Sequence, residues 1–204
     1  MTPCELALDR GVREILHFTT DRGILGALRK DALLSRKRLQ DDPDLEFIFQ
    51  AVWPSKAPEW DDHVSLSITS INRRLYDQAV AHMPERWWAV LAFDPAILDH
   101  KGVWFATTNN IFPSCERDQG ADGLAALYAD PVVGLRGRRF TREGLPHAQP
   151  TDRAAEVLYP GQLSLRHLTA VCVSDEDQRH LVLAWCDALG RADVPVEVRE
   201  DAFL

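Results

Sequence analysis

Long apolar runs are missing from the sequence: none of its stretches approaches the ~20 residues that a membrane helix needs, so no membrane association is expected. Paired cysteines are missing too. Cys4, Cys115, Cys172 and Cys186 stand far apart, with no CxxC and no Cys/His pair at structural-zinc spacing. The start, Met1-Thr2-Pro3-Cys4-Glu5-Leu6, has no basic segment followed by an apolar one and does not read as a secretory leader. Together these absences point to the cytoplasm, with reduced thiols. No GxGxxG follows the first strand and there is no P-loop, which argues against Rossmann and Walker nucleotide binding. Positive charge is scarce: 23 Lys+Arg against 31 Asp+Glu leave a net −8. A protein that coats nucleic acid needs the opposite balance, so any nucleic-acid contact must come from a local basic surface.

What is present is enough apolar material, 46% of 204 residues, to build the core of one domain. Residues 12–18 (VREILHF) read as a strand. Thr20 caps a following helix whose apolar face carries Ile24, Leu25 and Leu28. Residues 40–62 mix Pro, Asp and Trp without period and read as a long loop. Residues 64–68 (VSLSI) alternate as a half-buried strand, Asn72 opens a helix through His82, and residues 87–93 (WWAVLAF) read as a central strand. Further strands are expected at 103–106, 156–159, 168–173 and 194–198, and helices at 123–129 and 175–189. The segment 134–150 is polar, basic and turn-rich. Strands outnumber long helices without alternating regularly with them, which indicates an α+β fold rather than a doubly wound parallel sheet. The chain reads as a single domain over 1–204, with 174–204 as a C-terminal helix and strand extension docked on the sheet edge.

Three segments place polar residues on strands beside apolar neighbours: His17-Phe18-Thr19, Ser65-Leu66-Ser67, and Ala155 through Gly161 (AEVLYPG). Taken singly, a strand-end His, two serines on one strand face and a strand-opening Glu have ordinary structural explanations. Together, and in order, they resemble a known pattern. Leu16-His17-Phe18-Thr19 with Gly23-Ile24-Leu25, Ala32 to Arg36 (ALLSR), Val64 to Ile68, Trp88 to Leu98 (WAVLAFDPAIL), Phe105 to Asn110 (FATTNN) and Ala155 to Gly161 resemble the DarT family of DNA ADP-ribosyltransferases. The VSLSI segment looks more like the family's guanine-directed branch than its thymine-directed one.

The resemblance implies an ADP-ribosyltransferase-like split mixed sheet, with NAD as ADP-ribose donor in the cleft between its halves. It also implies transfer to a base, guanine on the branch favoured, in single-stranded DNA. Breaking the nicotinamide–ribose bond builds positive charge on the ribose. A carboxylate beside that ribose stabilises the charge and takes a proton from the incoming base nitrogen. By resemblance Glu156 holds this role. His17 meets the adenosine ribose and the backbone around Phe18 grips the nicotinamide amide. Thr19, Ser65 and Ser67 line the cleft, and Asn109 or Asn110 orients the nicotinamide side or the loop. The phosphate-binding arginine is open between Arg73 and Arg74, after the middle strand, and Arg36 and Arg38, after the first helix; a guanidinium forks onto phosphate oxygens.

The basic stretch with Arg136, Arg138, Arg139, Phe140 and Arg142 lies shortly before Glu156. Guanidinium groups for a phosphate backbone and a ring for stacking suit single-stranded DNA, and Tyr128 offers a second ring. If these arginines stand far from Glu156, the DNA expectation loses its electrostatic support. The acidic run from Asp41 to Glu46 reads as a solvated loop or a lid over NAD. Trp53 and Trp60 read as loop anchors, and Leu181, Trp185 and Leu189 as a core-facing helical stripe. His63, His82, His100, His147, His167 and His180 show no metal-ligand spacing, so no metal is expected. The expected biology is a monomeric toxin of a toxin–antitoxin or defence system, opposed by an ADP-ribosyl glycohydrolase antitoxin. Two alternatives stay open: an RNA or protein acceptor on the same fold, and a non-catalytic binding module.

Overall fold

A computed structural model of the chain describes residues 1–45 and 58–204; Glu46 at the end of the acidic run, Trp53 and the central part of the expected long loop lie outside the described residues. The twelve strands among the described residues are β1 (Ile15–Thr20), β2 (Ala32–Leu34), β3 (His63–Ile68), β4 (Trp88–Phe93), β5 (Trp104–Ala106), β6 (Arg117–Gln119), β7 (Val132–Val133), β8 (Arg139–Phe140), β9 (Glu156–Pro160), β10 (Gln162–Ser164), β11 (Leu168–Val173) and β12 (Val196–Val198). The α-helices among the described residues are α1 (Pro3–Asp9), α2 (Asp21–Lys30), α3 (Arg36–Asp41), α4 (Arg73–His82), α5 (Gly120–Ala126) and α6 (Glu176–Ala188). Eight strands form one sheet in the order β12-β11-β4-β1-β3-β9-β5-β6. Its pairs are antiparallel except β11 with β12. β2–β10 and β7–β8 are separate two-stranded pairs.

The sheet opens down its middle. β1 and β3 pair only at Ile15↔Ile68 and Leu16↔Ser67. Beyond that point β1 stays with β4 through Thr20↔Trp88, while β3 stays with β9 through His63↔Pro160. This is the expected split mixed sheet. One face carries the main core, with Ile15, Leu66, Ile68, Leu91, Phe93 and Val157 among its buried members. A smaller cluster of Leu16, Val90, Ala92, Cys172 and Phe203 lies on the other. All six side chains of β4 are buried, as a continuous apolar run in a central strand requires.

Local chemistry explains several boundaries. Thr20 caps α2, its hydroxyl accepting from the Gly23 N–H at 3.2 Å, and Asp21 in the first turn complements the helix dipole. Gly23 has to be small: a Cβ there would stand 1.9 Å from the Thr19 hydroxyl oxygen. Asn72 and Asp175 cap α4 and α6 as their positions suggested.

Some expectations need correction. The core-facing side of α6 is Val182 and Cys186; Leu181 and Leu189 are exposed, while Trp185 is half-buried, packing against the core and stacking on Trp87 at 5.9 Å. The turn-rich segment holds β8, which closes a short hairpin with β7 just ahead of it. The apolar run after α2 leaves the helix at Asp31, which is left-handed with φ 55°, and becomes β2.

The C-terminal strand is tied back to the start of β1 by a two-pronged ion pair, Arg199 Nη1 and Nη2 to the Glu14 carboxylate at 2.7 and 2.9 Å. The carboxylate holds the Arg199 pKa above its ordinary value. Arg199→Ala is expected to lower unfolding free energy by about 1 kcal/mol, a partly exposed bidentate pair being worth little more, as read from the urea midpoint.

Candidate active site

Glu156 opens β9 and is 6% exposed. The cross-strand pair Ser65↔Leu158 puts Glu156, two residues before Leu158, on the same face as Ser65 and Ser67 and away from the main core. The loop after β5 grips its carboxylate. Asn109 Nδ2 donates to Oε1 at 3.1 Å, and the Asn110 backbone N–H donates to Oε2 at 3.0 Å. That loop is itself held from β6. The Arg117 guanidinium donates to the Asn110 side-chain oxygen, to the Asn110 carbonyl, and at 3.0 Å to the Cys115 carbonyl. The Asn109 side-chain oxygen closes the turn by accepting from the Ile111 N–H at 3.2 Å.

His17 lies where the sheet parts. Its Nδ1–H donates to the Ser65 carbonyl at 2.9 Å, a side chain bridging the two strands after their backbone pairing has ended. A carbonyl only accepts, so the proton sits on Nδ1. Phe18 turns the other way, against Tyr76 at 5.5 Å and Trp88 at 5.8 Å.

The opening between the halves is a cleft of about 960 Å³ containing His17, Phe18, Thr19, Ser65, Ser67, Asn109 and Glu156 in its walls. Its size lies at the upper end of the ~300–1,000 Å³ typical of ligand sites and fits a dinucleotide. Six arginines line it, Arg36, Arg73, Arg74, Arg136, Arg138 and Arg153, against the carboxylates of Asp61, Asp152 and Glu156. In a chain of net charge −8 this is a local inversion of sign.

The candidate arginines separate. Arg36, Arg73 and Arg74 reach the cleft; Arg38 does not, being bonded to Asp62 at 3.2 Å and Gln162 at 3.2 Å. Arg73 is already engaged, donating to Asp77 at 2.6 Å and to the Phe203 carbonyl at 2.7 Å. Within the basic stretch, Arg136, Arg138 and Phe140 share the cleft with Glu156, and the Arg138 guanidinium lies over the Phe140 ring, 4.9 Å from its centre. Arg139 lies outside the cleft walls and is exposed. Arg142 holds the loop together through the Gln149 and Pro146 carbonyls, at 3.0 Å each, and the Thr151 hydroxyl at 3.2 Å.

Tyr128 offers no stacking ring. It is 5% exposed and takes the Arg10 and Arg142 guanidinium groups at 3.9 and 5.3 Å from its ring centre. Burial pushes its hydroxyl up to about 12, so it stays a neutral donor to the Ala148 carbonyl. Trp60 anchors its loop as expected, packing on Trp104 and His63, and burial pushes the His63 pKa down.

Sequence reasoning missed Arg117, Asp152 and Arg153. The last two sit just before Glu156 in the same wall, and proximity to that carboxylate was the available signal. Arg117 gave none, because its role comes from the pairing of β6 with β5.

Comparison with known proteins places this geometry. The family model described as "ssDNA thymidine ADP-ribosyltransferase, DarT" matches residues 16–204. No curated protein matches the chain. Among solved structures, Thermus sp. 2.9 DarT in complex with NAD+ superposes with a TM-score of 0.65 at 17% identity, covering 94% of this chain and 98% of that one. The same protein in complex with ADP-ribosylated ssDNA gives 0.64 at 17% identity, covering 94% and 96%. Thermosipho africanus DarTG in complex with ADP-ribose gives 0.59 at 15% identity, covering 94% of this chain and 50% of that one. The structures share the fold, the family model spans nearly the whole chain, and this chain belongs to the DarT family of single-stranded-DNA ADP-ribosyltransferases.

Proposed function

We propose that this family member transfers ADP-ribose from NAD to guanine in single-stranded DNA, as the toxin of a toxin–antitoxin or defence pair. The observation that carries the catalytic part is Glu156: a carboxylate fixed by two donors in a cleft of dinucleotide size, with Arg136, Arg138 and Phe140 in the same walls. NAD supplies the ADP-ribosyl group and nicotinamide as leaving group. Arg36 or Arg74 meets the diphosphate, and His17 with the backbone of β1 holds the nucleoside ends. Glu156 stabilises the cationic ribose and accepts the proton that the base nitrogen loses as it bonds to the anomeric carbon. Nicotinamide leaves with the electron pair of the broken bond. This is glycosyl transfer, and no phosphate bond changes hands.

Guanine rests on the resemblance of Val64 to Ile68 to the guanine-directed branch, whereas the family description names thymidine. Incubation with NAD and strands carrying a single guanine or a single thymine, read by mass shift, decides. A shift on the guanine strand alone supports the proposal, and a shift on the thymine strand alone replaces guanine with thymine. Labelled NAD with RNA and protein pools tests the other acceptors, and calorimetry without NAD binding would leave a non-catalytic module. We propose that the chain acts as a monomer in the cytoplasm, as one domain whose residues 174–204 brace the sheet edge. Its proposed partner is an antitoxin that removes ADP-ribose from DNA.

The arginine-lined wall predicts salt-sensitive binding of the strand. Each phosphate contact contributes a slope of about 0.7 in log affinity against log salt for single strands. Arg136→Gln combined with Arg138→Gln is therefore expected to reduce the slope by about 1.4 while leaving NAD affinity in the absence of DNA unchanged. Fluorescence anisotropy across a salt series measures the first and calorimetry the second.

A further inference from the structure

Asp152 stands in the cleft wall four residues before Glu156, and the chemistry above leaves its carboxylate unused. It is 4% exposed and no Lys or Arg pairs with it among the described residues. Oδ2 accepts from the Thr108 hydroxyl at 2.6 Å, and Oδ1 accepts from the Ala154 N–H at 2.9 Å. A carboxylate has about four lone-pair sites, so each oxygen keeps capacity for one more donor. Burying such a group without using that capacity is costly.

Gly134 shows what stands beside it. A Cβ on Gly134 would meet Asp152 Oδ2 at 2.5 Å and the Phe140 ring at 2.6 Å. Backbone, carboxylate and ring edge therefore converge behind the cleft wall that Asp152 and Phe140 line, and only the missing side chain lets them do so. The Ser114 hydroxyl fixes this corner by donating to the Gly134 carbonyl at 2.8 Å. The Arg138 guanidinium covers one face of the Phe140 ring, 4.9 Å from its centre, so the guanidinium plane and the opposite ring face are the surfaces on which a base can stack. A base lying there brings an edge toward Asp152.

We propose that Asp152 reads the Watson–Crick edge of the acceptor base and selects guanine. Guanine presents two adjacent donors on that edge, its ring N1–H and one N–H of its exocyclic amino group, which match the two oxygens of one carboxylate, and the amino nitrogen keeps a second N–H, the proton it can lose to Glu156 as it bonds to the anomeric carbon. Thymine presents a single N–H between two carbonyls, both of which a carboxylate repels. Adenine and cytosine present an amino group next to a bare ring nitrogen, so one oxygen faces an acceptor. Enzymes that act on an unstacked base read it in this way, by its Watson–Crick edge and by stacking. The inference rests on the DNA-base reading proposed above and deepens it to a residue.

The test compares wild type, Asp152→Asn and Thr108→Val on strands carrying a single guanine or a single thymine, with NAD affinity and thermal midpoint measured alongside. Wild type is expected to modify the guanine strand. Asp152→Asn, which puts a donor where guanine also has one, is expected to lower kcat/KM on guanine by about 10- to 100-fold, the discrimination typical of a bidentate base contact, with unchanged NAD affinity. Thr108→Val keeps the carboxylate and is expected to keep the guanine preference, which separates base reading from loop support. Wild type modifying thymine alone overturns the inference while leaving DNA ADP-ribosylation intact. Undiminished guanine preference in Asp152→Asn overturns it too, as does a parallel loss of NAD affinity. Should no DNA strand accept ADP-ribose, the DNA-base reading fails and takes this inference with it.

Discussion

Glu156→Gln is expected to lower ADP-ribosyl transfer by about a thousandfold or more while the protein stays folded. The substitution keeps the shape of the side chain and removes its charge. It also disturbs the hydrogen bonds, because among the described residues the carboxylate accepts from Asn109 Nδ2 on one oxygen and from the Asn110 N–H on the other. A glutamine has one oxygen and an NH2 group, so whichever way its amide turns, one loop donor faces another donor. The variant loses the negative charge opposite the cationic ribose and the acceptor for the base proton, both needed only as the glycosidic bond breaks. The loss should therefore appear in kcat, with the KM for NAD changing far less. Single-turnover transfer to an oligonucleotide, with circular dichroism as the folding control, measures it. A folded Gln variant with undiminished transfer removes Glu156 from the mechanism.

How far the sequence told this in advance follows from the range of the interactions. The strands of the central sheet were legible because their signal is local: β4 is a continuous apolar run and β3 alternates strictly, so burial follows residue by residue. The caps at Thr20, Asn72 and Asp175 were legible for the same reason. The short strands β2, β6 and β10 carry three residues each, and their existence depends on a partner distant in sequence. α6 misled because its apolar residues ring the helix: Leu181 and Leu189 match helical spacing as well as Val182 and Cys186 do, and docking alone decides which pair is buried. At the site, Glu156 and His17 could be picked out by resemblance, and the cleft contains both. The basic stretch could be seen, but not its division of labour. Arg136 and Arg138 enter the cleft, Arg139 is outside it, and Arg142 ties down its own loop. That division depends on the turn at Arg136, left-handed with φ 56°, which composition does not encode.

Arg117→Met is expected to reduce kcat by about 10- to 100-fold with little change in the KM for NAD, although nothing places Arg117 against substrate. The argument runs through Asn110. Its backbone N–H holds one oxygen of Glu156, and its carbonyl and side-chain oxygen are both taken by the Arg117 guanidinium. A planar fork of donors can satisfy the two acceptors together, and the third bond, to the Cys115 carbonyl, fixes the fork against the start of β6. Methionine fills much of the same space but donates to none of the three. Two buried Asn110 oxygens are then left without this partner, at a cost of about 1–3 kcal/mol each where water cannot reach them. The loop relieves this by turning Asn110 outward, which withdraws its N–H from Glu156 and lets the carboxylate swing. Misplacement by about an ångström is enough to cost two orders of magnitude in rate. Arg117→Lys keeps the charge but is a single point donor, so it is expected to recover only part of the loss. A role in stability alone would lower the thermal midpoint and leave kcat per folded molecule unchanged. The positioning role instead predicts a fall in kcat at temperatures well below the midpoint, with calorimetry still showing near-normal NAD binding because His17 and the β1 backbone are untouched.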